Sequence, residues 1–157
     1  MYKKIIVPLD GSKLAECVLP HLEAIVRGSE PTPDVLLVRA VEPIAIPYGR
    51  EVAEITSMEQ LKAFETHNKV EAEKYLKEIV AQLAKVGVNA KADVIYGKAA
   101  EVLGDFATKN DVDLVIIATH GRSGISRWVW GSVADRLLRS VCVPVLMVRA
   151  PGCVPGI

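Results

Sequence analysis

Short apolar runs alternate along this chain with longer stretches whose apolar positions recur every three or four residues. The runs read as buried strands and the recurring positions as amphipathic helices. Lys3 to Leu9 (KKIIVPL) predicts the first strand, with Pro8 near its end, where a missing N–H does least harm. Asp10-Gly11-Ser12 then turns the chain. Ser12 suits the N-cap of a helix from Lys13 to about Arg27, with Leu14, Ala15, Val18, Leu19, Leu22, Ile25 and Val26 on one face and Gly28 as its stop. Pro20 falls inside that helix and predicts a kink or a carbonyl left free. Asp34 to Val41 (DVLLVRAV) predicts the second strand.

Glu42 to about Ile55 has no period and carries Pro43, Pro47 and Gly49, so it reads as a long loop. Thr56-x-x-Glu59 and Ser57-x-x-Gln60 both fit a capping box, which starts a long helix near Met58. It should run to about Val86 and close at Gly87, with Ala72, Leu76, Ile79, Val80, Leu83 and Val86 on its apolar face. Leu61 and Phe64 give its first half a weaker one. A third strand follows over Asn89 to Tyr96, with Ala90, Ala92, Val94 and Tyr96 alternating against Lys91, Asp93 and Ile95. A helix over Ala99 to Lys109, a strand over Leu114 to Ala118, a helix after Gly131, from Ser132 to about Ser140, and a strand over Val143 to Val148 complete the pattern.

Strands and helices in strict alternation predict right-handed crossovers. The expected fold is an open, doubly wound α/β sheet of five parallel strands, in the order 3-2-1-4-5, with helices on both faces. One domain is expected over residues 1–150, with 151–157 as a loose tail holding two prolines and two glycines.

Charge and cysteine usage narrow the function classes. Lys plus Arg and Asp plus Glu number 19 each, so there is no electrostatic reason to expect nucleic acid or an anionic membrane as partner. Cys17, Cys142 and Cys153 are odd in number and lack a C-x-x-C spacing, which argues against a disulfide framework or a zinc site. No leader segment and no apolar run of membrane-spanning length is seen, so a cytoplasmic location is expected.

The candidate chemistry gathers at strand ends. In such sheets ligands sit beyond the carboxyl ends of the strands, where the strand order reverses. Asp10 follows the first strand with a carboxylate suited to ribose hydroxyls or a metal ion. Ala40 and Val41 end the second strand, where backbone groups can meet a base edge. Ala118 and Thr119 end the fourth and lead into His120-Gly121-Arg122-Ser123-Gly124. Gly131 and Ser132 then open a helix, whose free N–H groups can hold a phosphate. Asp10 equally suits starting its turn, and Ser132 capping its helix. His120 has no predicted partner and reads as a spacer rather than a catalytic base, so no catalytic residue is assigned. P-loop, Rossmann and nucleophile-elbow signatures are missing from the sequence.

KKIIVPLDGS, VIIATHGRSGISRWVWGSVADRLL and CVPVLMVR together resemble the universal stress protein family over nearly the whole chain. Its nucleotide-binding branch carries G-x2-G-x9-G-S/T. Here Gly121, nine residues, Gly131 and Ser132 match that pattern, while Ala118 stands at its first glycine. The resemblance implies a regulatory stress-response protein that binds ATP or AMP, with Mg2+ or Mn2+ carried by the phosphates and its metal ligands unknown. It implies that Asp10 binds ribose, that Pro8 and Leu9 line the base pocket, and that Ala40 recognises adenine. The loop from Ala118, Thr119 and His120 through Gly121 and Arg122, together with Gly131, Ser132 and Val133, would hold the phosphates. It also implies a homodimer formed through Val143 to Val148. The alternatives are a slow ATPase or phosphotransferase, and a dimerisation module that binds no nucleotide.

Overall fold

The computed structural model describes residues 2–43, 58–119 and 132–149. The chain order is β1 (Lys4–Pro8), a 3-10 turn (Ala15–Val18), α1 (Leu19–Arg27), β2 (Asp34–Val41), α2 (Met58–Lys85), β3 (Ala90–Tyr96), α3 (Ala99–Lys109), β4 (Leu114–Ala118), α4 (Ser132–Ser140) and β5 (Val145–Val148). All five strands are parallel, in the order β3-β2-β1-β4-β5, as expected. β1 is central because its run is apolar on both faces: Ile5, Ile6 and Val7 are all buried. Ile5 pairs with Val35 of β2 on one side and with Leu114 of β4 on the other.

The pleat sends alternate residues to two cores. Ile5, Val7, Val35, Leu37, Leu114 and Ile116 face Leu22 and Val26 of α1 and Leu76, Ile79 and Leu83 of α2. Ile6, Val38, Val115 and Ile117 face Leu103 and Ala107 of α3 and Ala134 and Leu137 of α4. Two crossovers run on each face, and the chain changes face after β3, as it crosses back to place β4 beside β1. Right-handed connections require that change once the winding direction reverses.

Several boundaries differ from the sequence expectation. β1 is one residue shorter at each end than Lys3 to Leu9. The expected single helix from Lys13 is a 3-10 turn followed by α1, so Pro20 lies in the first turn of a helix. A missing N–H is harmless there, and no kink inside the helix is needed. Ser12 is therefore not the N-cap of either element, although its Oγ accepts the Ala15 N–H at 3.2 Å at the start of the 3-10 turn. α2 closes as expected at Gly87, whose φ is +82°. Gly87 N–H donates to Ala84 O, and Val88 N–H reaches back to Leu83 O at 3.0 Å, the paired bonds of a Schellman cap. Val86 lies past the helix and is exposed instead of on its apolar face. Phe64 is exposed too, in keeping with a weak first half of α2.

β3 begins at Ala90, and Ala92 and Tyr96 are exposed, so its alternation only partly marks burial. β3 is an edge strand, covered less than its neighbours. β5 begins at Val145 instead of Val143. Pro144 lies just outside it, though its carbonyl still accepts the Val115 N–H at 3.0 Å. The capping boxes at 56–60, most of the loop after Glu42 and the tail lie wholly or partly outside the described residues.

One clamp has no local signature. The Asp113 carboxylate, just before β4, accepts the Lys3 N–H at 2.6 Å and the Lys4 N–H at 3.0 Å. It ties the start of β1 to the start of β4. Asp113→Ala removes two charge-assisted bonds in a partly solvated place, so a loss of about 2 kcal/mol is expected. Thermal unfolding should move down by roughly 5 °C, and Asp113→Asn should lose less.

Candidate functional site

The parallel sheet brings all its strand carboxyl ends to one edge. There β1 parts from β2 on one side and β4 on the other, which is the switch point of a doubly wound sheet. Asp10 emerges at this point. Its Oδ1 accepts the Ser12 N–H at 2.9 Å, closing a turn across Gly11, whose φ is +89°. Asp10 therefore does start the turn with Ser12, and the turn holds the carboxylate at the edge of the sheet. Leu9 before it is buried, and its N–H donates to Val38 O at 2.9 Å, so Pro8 and Leu9 stay part of the sheet.

Ala40 is half-buried near the end of β2, on the face of α3 and α4. Beyond it the Val41 carbonyl accepts the Gly97 N–H at 3.1 Å. Glu42 then reaches across, its Oε1 accepting the Ala99 N–H at 3.3 Å. That carboxylate satisfies a free donor in the first turn of α3 and faces the positive end of its dipole.

On the other side of β1, Ala118 ends β4. It is buried in the core with Leu9, Leu37 and Ile116. Among the described non-glycine residues only Asp111 has a positive φ, so Ala118 stands where a motif glycine would be without left-handed strain. Thr119 is buried, and its N–H donates to Val148 O at 2.9 Å. α4 runs back antiparallel to β4, as a crossover helix must, so its N-terminus opens on the same edge of the sheet. Ser132, its first residue, is exposed, and Val133 packs against the core under α4.

The fold thus brings Asp10, Ala40, Ala118, Thr119 and the start of α4 to one edge. His120, Gly121, Arg122 and Gly131 lie outside the described residues. Among the described residues no three His, Cys, Asp or Glu side chains converge as a metal site. None of the helices there is long and apolar enough to cross a membrane.

A polar cluster beside Asp10 escaped the sequence reading. Arg39, from β2, lies with its guanidinium 5.5 Å from the Tyr75 ring centre. Tyr75 of α2 donates its hydroxyl to Glu16 Oε1 at 3.4 Å, and Glu16 also pairs with Lys13 at 2.9 Å. Burial, with Glu16 beside it, pushes the Tyr75 phenol well up, so it stays an O–H donor. The available signal was Arg39 itself, a charge set within the apolar run DVLLVRAV. Cys17 lies half-buried nearby in sequence, and burial pushes its thiol up, away from reactivity at neutral pH.

Comparison with known proteins agrees with this architecture. Universal stress protein MJ0531 of Methanocaldococcus jannaschii is 29% identical over 151 residues, covering 96% of this chain and 84% of its own. The solved structure of MJ0577 from the same organism superposes with a TM-score of 0.80 at 26% identity, over 97% of this chain and 99% of that one. An Arabidopsis thaliana universal stress protein family member, solved with AMP bound, shares the fold at a TM-score of 0.67 and 18% identity, over 96% and 93% of the two chains. The universal stress protein family model matches residues 1–149, and the chain belongs to that family.

Proposed function

We propose that this chain is a regulatory stress-response protein that binds an adenine nucleotide, ATP or AMP, across the β1–β4 switch point. The observation that carries this reading is the meeting, at one sheet edge, of the Asp10 turn with the N-terminus of α4. A carboxylate suits ribose hydroxyls, and free helix N–H groups suit phosphates. The AMP bound by the Arabidopsis relative supports the same ligand class. In this reading Pro8, Leu9 and Ala40 line the base pocket. Thr119, His120, Gly121, Arg122, Gly131, Ser132 and Val133 surround the phosphates, with Ala118 at the root of their loop. A divalent cation would take its oxygens mainly from the phosphates, because no three acidic, His or Cys side chains converge among the described residues. Heat denaturation of the purified protein followed by chromatography of what is released tests the proposal. Adenine nucleotide in the supernatant, or micromolar uptake in a titration, is the expected result. No binding of ATP or AMP at millimolar ligand would refute it.

We further infer a homodimer through β5. This strand is a sheet edge, and Val145, Leu146 and Met147 are only half-buried on it. An apolar edge with unpaired backbone groups favours pairing with a second copy. Val145→Lys should convert a dimer to a monomer in light scattering after size exclusion. A wild-type monomer at micromolar concentration would overturn the inference.

A further inference from the structure

We propose that Arg39 is a positioning residue that fixes the Asp10 carboxylate for its ligand, and that Tyr75 holds Arg39 in place. The ligand half of this inference rests on the nucleotide reading above; the positioning half does not.

The pleat of β2 sends Val35 and Leu37 to the core under α1 and α2, and Arg39 follows them on that face. An apolar residue there would simply extend the core. A half-buried guanidinium must be offset by partners, because desolvating a charge is costly. Its surroundings are specific. Above it lies the Tyr75 ring, at 5.5 Å. Against it lies Gly11: a Cβ built on that glycine would fall 3.0 Å from the guanidinium carbon. The flat cation is thus packed on the backbone of the turn one residue after Asp10. The turn is closed from inside by the Asp10 bond to the Ser12 N–H, and the Arg39 guanidinium lies against its Gly11. Asp10 and Arg39 are also both close enough to act electrostatically on the Tyr75 phenol, with opposite signs. Tyr75 in turn is anchored to Glu16. A planar guanidinium held over a ring is preorganised in a way an ammonium is not. The cluster therefore places a positive charge against the turn that carries the Asp10 carboxylate.

The test is Arg39→Met, alone and combined with Asp10→Ala. Without nucleotide, the Ser12 amide should lose protection in hydrogen exchange followed by NMR, while the amides of β4 keep theirs. With nucleotide, ATP affinity should fall about tenfold, the scale of one weakened charge-assisted bond. Affinity for 2′,3′-dideoxy-ATP, which offers no ribose hydroxyl to Asp10, should not change. In the Asp10→Ala background Arg39→Met should add nothing, because the two act as one unit. A merely structural arginine would lower all of these affinities and lower them additively, which would overturn the proposal. An unchanged Ser12 amide would also overturn it, whatever the nucleotide results. If wild-type protein binds neither nucleotide but the Ser12 amide responds, the nucleotide reading fails and the positioning stands. Should Arg39→Met not fold, Arg39→Lys keeps charge and stem while losing the planar fit. A smaller loss in the same direction is then expected, and no change at Ser12 or in affinity would overturn the inference.

Discussion

Asp10→Ala is expected to weaken ATP binding ten- to a hundredfold while leaving the core intact. A hydrogen bond from a ribose hydroxyl to a carboxylate is worth roughly 1.5–3 kcal/mol, and each 1.4 kcal/mol is about a factor of ten. The side chain also accepts the Ser12 N–H, so its removal loosens the turn as well. Asp10→Asn separates the two roles. Its amide oxygen can still accept from Ser12, so the turn should persist, but the charge is gone. A loss of about tenfold is expected for Asn, with the larger loss in Ala. Titration calorimetry with Mg-ATP and with AMP reads the affinities, and thermal unfolding without ligand reads the fold. Equal affinity in wild type, Asn and Ala would remove Asp10 from the proposed site.

Gly131→Val is expected to remove the contribution of the phosphates, so that ATP binds no better than adenosine. The residue precedes Ser132, the first residue of α4, where backbone donors and the positive helix end would meet an anion. Glycine lets backbone and ligand approach closely; an isopropyl group fills that space. Losing two charge-assisted bonds corresponds to roughly a hundredfold or more in affinity. Adenosine affinity is the internal control and should hold. Ser132→Ala should lose far less, because the backbone donors remain. Unaltered ATP affinity in a folded Gly131→Val protein would refute the assignment of the phosphates to this helix.

The parts of the molecule that were legible in its sequence are those set by neighbours in the chain. Runs such as LVIIA and DVLLVRAV declare buried strands because both faces must be apolar, and strict alternation with helices leaves few topologies. Gly87 announced a helix end because a left-handed residue is required there. The Asp10 turn was legible because an aspartate does the same local work, accepting the N–H two residues on, in many turns. The tertiary contacts were not legible, for one reason. Asp113 clamps Lys3 across 110 positions, and Glu42 caps α3 across 57. Tyr75 meets Glu16 across 59. Contacts of that range belong to the folded sheet and leave no periodic trace. Pro20 differs for a local reason: a short 3-10 turn ahead of α1 moves the helix start, and the proline becomes a favourable first-turn residue.

The clamp at Asp113 has a practical consequence. Because every strand is parallel, the amino ends of the sheet form one pole and the proposed crevice forms the other. Asp113 pins the backbone of Lys3 and Lys4 at the first pole. A five-residue strand such as β1 spans roughly 15–17 Å between them. A tether that reaches the molecule through Lys3 therefore meets it at the pole opposite the proposed crevice. Protein tethered to a sensor chip at that pole would turn its proposed nucleotide edge to the flowing solution, whereas coupling through surface lysines would leave orientation to chance.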